Sequence, residues 1–117
     1  MKPSHPILII EPDAALRRSL VEVLLSDGYS VSAAADVDEA RALLKTDALP
    51  GLIVVGTQGP FMPGFRERFG LARELARTLR VVVISDEPPT GVMSISKEHL
   101  VQDLLAAARK YCRPAEA

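Results

Sequence analysis

The chain has little of what many functions are built from. Its 117 residues include one cysteine, Cys112, so no intramolecular disulfide can form and a reducing cytoplasm is the expected compartment. Its two histidines, His5 and His99, share no metal-ligand spacing and read as solvated. Neither sign of charge dominates: 14 basic residues meet 15 acidic ones, for a net charge of -1. Arg17, Arg18, Arg41, Arg66, Arg68, Arg73 and Arg77 are spread out and read as solvated helix faces, not as a nucleic-acid-binding stripe. No apolar run reaches the length of a membrane span, and the apolar part of MKPSHPILII is too short for a secretory signal. There is no internal repeat and no low-complexity stretch. These absences leave one domain with a modest core and exclude nucleic-acid and membrane partners for it. The folded core is expected over residues 5–112, with 113–117 as a tail or the start of a linker.

What is present is an alternation of two patterns. PILIIEPD holds a strand at about Ile7 to Ile10, apolar on both faces as a buried parallel strand should be. Asp13 then caps a helix that sets Leu16, Leu20, Val23 and Leu24 on one face and stops at Gly28. YSVSAA reads as a short strand. Asp36 and Glu39 form a capping-box pattern at the next helix, whose apolar side is Val37, Ala40, Leu43 and Leu44. LIVV is a third strand. The helix after it places Phe65, Phe69, Ala72, Ala76 and Leu79 on one stripe, with Phe65 and Phe69 read as core. VVVIS and VMSIS are a fourth and a fifth strand. KEHLVQDLLAAARKY closes the chain with a helix burying Leu100, Leu104, Ala107, Ala108 and Tyr111.

Strands that alternate with helices predict an α/β fold, a doubly wound parallel sheet covered on both faces. In such sheets the working crevice lies beyond the carboxyl ends of the strands. The residues there are Glu11, Pro12 and Asp13 after the first strand, Gly56 to Pro60 after the third, Ser85 and Asp86 after the fourth, and Lys97 after the fifth. No residue from Gly56 to Gly64 ionises at neutral pH. The loop has neither the Lys-Ser/Thr pair of a P-loop nor the spaced glycine fingerprint of a dinucleotide site. No nucleophile–base pair stands out.

The order of parts resembles the receiver domain of bacterial two-component response regulators. ILIIEPDAALRRSLVEVLLSDGYSV is close to that family's opening, and ALPGLIVVG and VVVIS resemble its third and fourth strands. SISKEHL resembles the entry to its last helix. The resemblance covers nearly the whole chain and implies a CheY-like sheet of five parallel strands in the order 2-1-3-4-5. It also implies roles. In that family an aspartate ending the third strand accepts a phosphoryl group from a histidine kinase. Two acids after the first strand help to bind Mg²⁺, and a Ser/Thr and a lysine contact the phosphoryl oxygens. Here Gly56 stands at the acceptor position and Pro12 at the second acid. Glu11 matches the first acid with one methylene more, and Ser85 and Lys97 match the switch hydroxyl and the lysine. Thr57 follows the acceptor position, and Pro60 matches a family proline.

An acyl phosphate needs a carboxylate nucleophile, and glycine has no side chain. Glu11 and Asp13 alone make a poor Mg²⁺ site. The expectation is therefore a degenerate phosphorylation pocket of Glu11, Pro12, Asp13, Gly56, Thr57, Ser85 and Lys97, without catalytic residues, metal or cofactor. The leading reading is a pseudo-receiver that is not an enzyme and acts by protein contacts. The alternatives are a receiver that accepts a phosphoryl group on an unusual residue and a ligand-binding or enzymatic domain that shares only the fold. Thr57 and Ser85 as targets of a kinase of another type have nothing to favour them over plain surface hydroxyls.

A second departure is one of length. Only residues 86–91 separate the fourth and fifth strands. A parallel crossover usually takes a dozen residues or more and a helix, and the family has a helix there. Six residues in polyproline geometry, favoured by Pro88 and Pro89, span just under about 20 Å at roughly 3.1 Å each. That is barely enough for a parallel fifth strand, which is favoured over an antiparallel hairpin. The lost helix would bare apolar sheet near the fourth and fifth strands, for a protein partner, an output domain or a weak homodimer to cover. Phe61, Met62, Pro88, Pro89 and Met93 are the candidate contact residues, and Lys97 is expected to approach Glu11 or Asp13.

Overall fold

The computed structural model describes residues 6–46, 49–57, 63–85 and 92–112. Its strands are β1 (Ile7–Ile10), β2 (Val31–Ala34), β3 (Leu52–Gly56), β4 (Val81–Ile84) and β5 (Met93–Ile95). Its helices are α1 (Ala14–Ser26), α2 (Val37–Thr46), α3 (Phe65–Leu75) and α4 (Leu100–Tyr111). All strand pairs are parallel, in the order β2-β1-β3-β4-β5. This is the expected CheY-like order, with the fourth helix of that fold absent from the described residues. No described helix is long and apolar enough to cross a membrane.

Every residue of β1, β3 and β4 is buried, as a parallel sheet covered on both faces requires. Side chains alternate between two cores. Ile7, Ile9, Leu52, Val54, Val82, Ile84 and Ile95 pack under α1 and α4, against Leu20, Leu24, Leu104 and Ala108. Leu8, Ile10, Ile53, Val55, Val81 and Val83 pack under α2 and α3, against Ala40, Leu71 and Ala72.

Local chemistry starts and stops the first two helices. The Asp13 carboxylate accepts the Leu16 N–H at 3.1 Å. Gly28 ends α1 at φ 92°, a left-handed conformation that glycine adopts at no steric cost. At α2 the Asp36 carboxylate accepts the Glu39 N–H at 2.8 Å, and Glu39 reaches back to the Ala35 N–H at 3.3 Å. That is the expected capping box with its return bond one residue early.

The stripe assigned to α3 needs correction. The buried residues of this helix are Arg68, Leu71 and Ala72. Phe65 and Phe69 are half-buried and pack on each other, ring centroids 5.4 Å apart. Leu79 lies beyond the helix, which ends at Leu75 with Ala76 as its C-cap. The face turned to the sheet is thus Arg68, Leu71, Ala72 and Leu75, at i, i+3, i+4 and i+7.

β5 runs parallel to β4, as the extended crossover demands. Residues 86–91, with Pro88 and Pro89, lie outside the described residues. Pairing sets Met93 beside Val82 and Ile95 beside Ile84, on the α4 side of the sheet, and Ser94 beside Val83 on the other. Met93 therefore does not face the side of the lost helix. It stays 41% exposed, and its sulfur accepts the Tyr111 hydroxyl of α4 at 3.4 Å. On the side of the lost helix, Val81 and Val83 are already buried at 3% and 0% exposure, with Val92 packed against their cluster. The residue that β5 turns that way is Ser94, exposed and polar. The bare apolar face expected from the deletion is absent at these positions.

Candidate functional site

The carboxyl ends of β1, β3 and β4 meet α1 and the start of α4 at a cleft of about 270 Å³, lined by Glu11, Asp13, Leu16, Gly56, Ile84, Lys97 and Leu100. Four of the residues picked from the sequence, Glu11, Asp13, Gly56 and Lys97, are brought together here. The others are not in its lining. Pro12 is half-buried in the turn before α1. Ser85 follows β4 and donates its N–H to the Ile95 carbonyl at 3.1 Å. Thr57 is fully buried, its hydroxyl donating to the Ile84 carbonyl at 3.1 Å, so it is no surface hydroxyl. Phe61 and Met62 lie outside the described residues. Lys97 is exposed and forms no ion pair with Glu11 or Asp13. It shares their cleft without pairing with either.

Glu11 is the centre of the site. It is fully buried at the end of β1, and its Oε2 accepts the Asp13 N–H at 3.0 Å. A Cβ built on Gly56 would overlap Glu11 Oε1 and sit 2.7 Å from its carboxyl carbon. The extra methylene of Glu11 and the missing side chain of Gly56 are thus complementary. The carboxyl group from β1 occupies the space through which a side chain on β3 would leave the backbone.

Two arginines taken as solvated are structural here. Arg17 donates to the Glu11 carbonyl at 2.8 Å and fixes the turn after β1. Arg68, only 2% exposed, donates its Nε to the Gly56 carbonyl at 3.0 Å. Its Nη2 reaches the Thr57 carbonyl at 3.0 Å and its Nη1 the Pro63 carbonyl at 2.9 Å. Burial holds the guanidinium below its usual pKa range, and the charges of Glu11 and Glu67 oppose that shift. Gly64, at φ 80°, lets the chain pass beside Arg68, since a Cβ there would lie 2.7 Å from Nη1. The signal for Arg68 was in the sequence. It opens the spacing that buries Leu71 and Ala72 and packs Leu75 against their cluster, and charge alone made it look like surface.

The residues do not fit a Mg²⁺ ion of the receiver kind. Magnesium takes hard oxygen ligands in near-octahedral array, usually with one or two carboxylates. Here Glu11 Oε2 and Asp13 Oδ1 both accept backbone N–H groups, and Pro12 and Gly56 supply no side-chain oxygen. Among the described residues no three His, Cys, Asp or Glu side chains are grouped to hold a metal. Cys112 is no nucleophile either: burial pushes its thiol up to about 11.

No protein-family model matches the chain. Over 78 residues it is 35% identical to the "Probable transcriptional regulator ycf27" of Porphyridium aerugineum, a match that covers 67% of this chain and 30% of that protein. The chain thus spans under a third of the length of the curated relative. Among solved structures it superimposes on a response regulator receiver protein from Pseudomonas putida with a TM-score of 0.74 and 21% identity, covering 94% of this chain and 99% of the other. A CheY-like response regulator receiver domain from Methanospirillum hungatei JF-1 gives 0.72 and 22%, with 92% and 93% covered.

Proposed function

We propose that this chain, by fold a CheY-like response-regulator receiver domain, is a pseudo-receiver: it serves signal transduction through protein contacts, without phosphoryl transfer to residue 56. One observation carries the reading. The Glu11 carboxyl group fills the space that a side chain at Gly56 would enter. Acyl-phosphate chemistry needs an accessible carboxylate in line with the donor, and Glu11 is enclosed and accepts the Asp13 N–H. An unusual acceptor has less support, because the Thr57 hydroxyl is buried on the Ile84 carbonyl. A catalytic role for the cleft has less support too, because among the described residues its lining holds no nucleophile paired with a base.

The proposed partner is another protein or an attached output domain. Phe61 and Met62, which lie outside the described residues, remain the proposed contact residues. A weak homodimer across the side of the lost helix would meet the polar Ser94 at β5, so an unlike partner is preferred. The test is incubation with acetyl phosphate and Mg²⁺, then with beryllofluoride and Mg²⁺, read by intact mass and by amide NMR shifts. Mass and spectrum are expected to stay unchanged. A stoichiometric, hydroxylamine-labile adduct would overturn the reading.

A further inference from the structure

Gly56 lies between two buried groups of opposite charge. On the side of its α-carbon stands the Glu11 carboxyl group, and on its carbonyl stands the Arg68 guanidinium. A carboxylate buried without a compensating charge is costly. Lys97, at the cleft, is exposed, so water screens its charge. Glu67, on the same helix as Arg68, adds a negative charge, not a positive one. Arg17 is half-buried, and its Nη1 is turned to the Glu11 and Pro12 backbone carbonyls. Among the described residues Arg68 is the buried cation that shares the interior with Glu11. It is also built to stay there, because its planar fork meets three backbone carbonyls at 2.9–3.0 Å.

We propose that the Arg68 guanidinium is this pocket's own cation, balancing the Glu11 carboxylate across Gly56 while it holds the Gly56, Thr57 and Pro63 carbonyls, so that the site is complete without a divalent ion. The carboxylate and the guanidinium then form one internal unit drawn from β1 and α3. Arg68 acts as a positioning residue: it sets the carbonyls of Gly56, Thr57 and Pro63. The inference rests on reading the cleft as a receiver-type site. The two fail separately, since a phosphoryl adduct would sink that reading and leave the charge balance untouched.

A double-mutant cycle on the whole chain tests it. Arg68→Met removes the charge and the donors, and Glu11→Gln removes the opposite charge with almost no change of shape. If Arg68 balances Glu11, Arg68→Met raises the unfolding equilibrium constant at least tenfold more in the native background than beside Glu11→Gln. If Arg68 only ties down the loop, the loss is the same in both backgrounds and the proposal is overturned. Should Arg68→Met not fold, the double variant decides. Its folding supports the charge balance, and its failure to fold where Glu11→Gln folds overturns it. Mn²⁺ serves as the metal probe. The amides of Gly56 and Thr57 in the native chain should keep their line widths at millimolar Mn²⁺, and selective broadening there would also overturn the proposal.

Discussion

The two halves of the chain follow different rules. From β1 to β3 it makes two complete strand–helix crossovers, and both helices open on a carboxylate that accepts a backbone N–H. From α3 onward neither helix has a side-chain cap: α3 opens at Gly64 and α4 at His99. β5 is reduced to three residues. The first half is a frame that local chemistry specifies piece by piece. The second half is held more by its contacts with that frame. The halves meet at Gly56, with Glu11 reaching it from the first and Arg68 from the second. The site is therefore a property of neither half alone: Gly56 is flanked by a carboxyl group from one half and a guanidinium from the other.

The largest effect should show whether the halves are one cooperative unit. Leu24 of α1 and Leu104 of α4 are both fully buried in one core cluster. Truncating either to alanine should cost about 2–5 kcal/mol, the usual range for a buried leucine. Urea unfolding followed by circular dichroism should give a single transition in both variants, with similar loss. If Leu104→Ala melts separately, ahead of the rest, the second half is an appendage and the shared core does not couple it to the first.

The sequence made the first half legible because each of its elements carries its own signal. Asp13, Gly28 and the Asp36–Glu39 pair mark helix ends by local hydrogen bonding and backbone conformation, which depend little on distant residues. The parallel sheet followed from strand–helix alternation and the strand order from the resemblance; the parallel β5 followed from the family-like last helix, the length of an extended linker being barely enough for it. The face of α3 was misread because two phenylalanines outweighed one arginine. Their stripe is adjacent to the true one, and only tertiary contacts with the Gly56, Thr57 and Pro63 carbonyls make burial of Arg68 favourable. Met93 was misdirected because strand register decides which side a residue takes, and nothing local sets the register of so short a strand. At the site, the residue types were legible. That Glu11 fills the place left empty at Gly56 was not, because it depends on the distance between two strands.

The fit of Glu11 to Gly56 gives the next effect. Gly56→Ala puts a methyl group onto the Glu11 carboxyl, which is buried and bonded to the Asp13 N–H. Overpacking of this kind costs about 1–3 kcal/mol. The cost should shrink in a Glu11→Asp background, where the carboxylate withdraws by one methylene and keeps its charge. Gly56→Asp should be worse than Gly56→Ala, because it adds a like charge beside Glu11, and it should not restore phosphorylation by itself while Pro12 stands at the second acid position. Equal costs for Gly56→Ala in the two backgrounds would show that the backbone, and not the carboxylate, sets the limit at residue 56.

The smallest effect bears most directly on the contrast between the halves. Asp13→Ala removes the acceptor of the Leu16 N–H at 3.1 Å, and Asp36→Ala that of the Glu39 N–H at 2.8 Å. Each should cost about 1 kcal/mol, the typical value of an N-cap carboxylate. Asp13→Ala keeps the backbone N–H that Glu11 accepts, so the site itself should be spared. At α4 the same experiment should give almost nothing. His99 is exposed and its side chain makes no cap bond, so His99→Ala should stay within about 0.5 kcal/mol of the native chain, as surface changes usually do. The three variants are compared by urea midpoints at a fixed slope, so that a difference reports stability and not a change in the unfolded state. If His99→Ala costs as much as Asp13→Ala, α4 is started by its own N-terminal chemistry after all. The second half would then be specified locally like the first, and the contrast between them would reduce to the missing helix and the residues around Gly56.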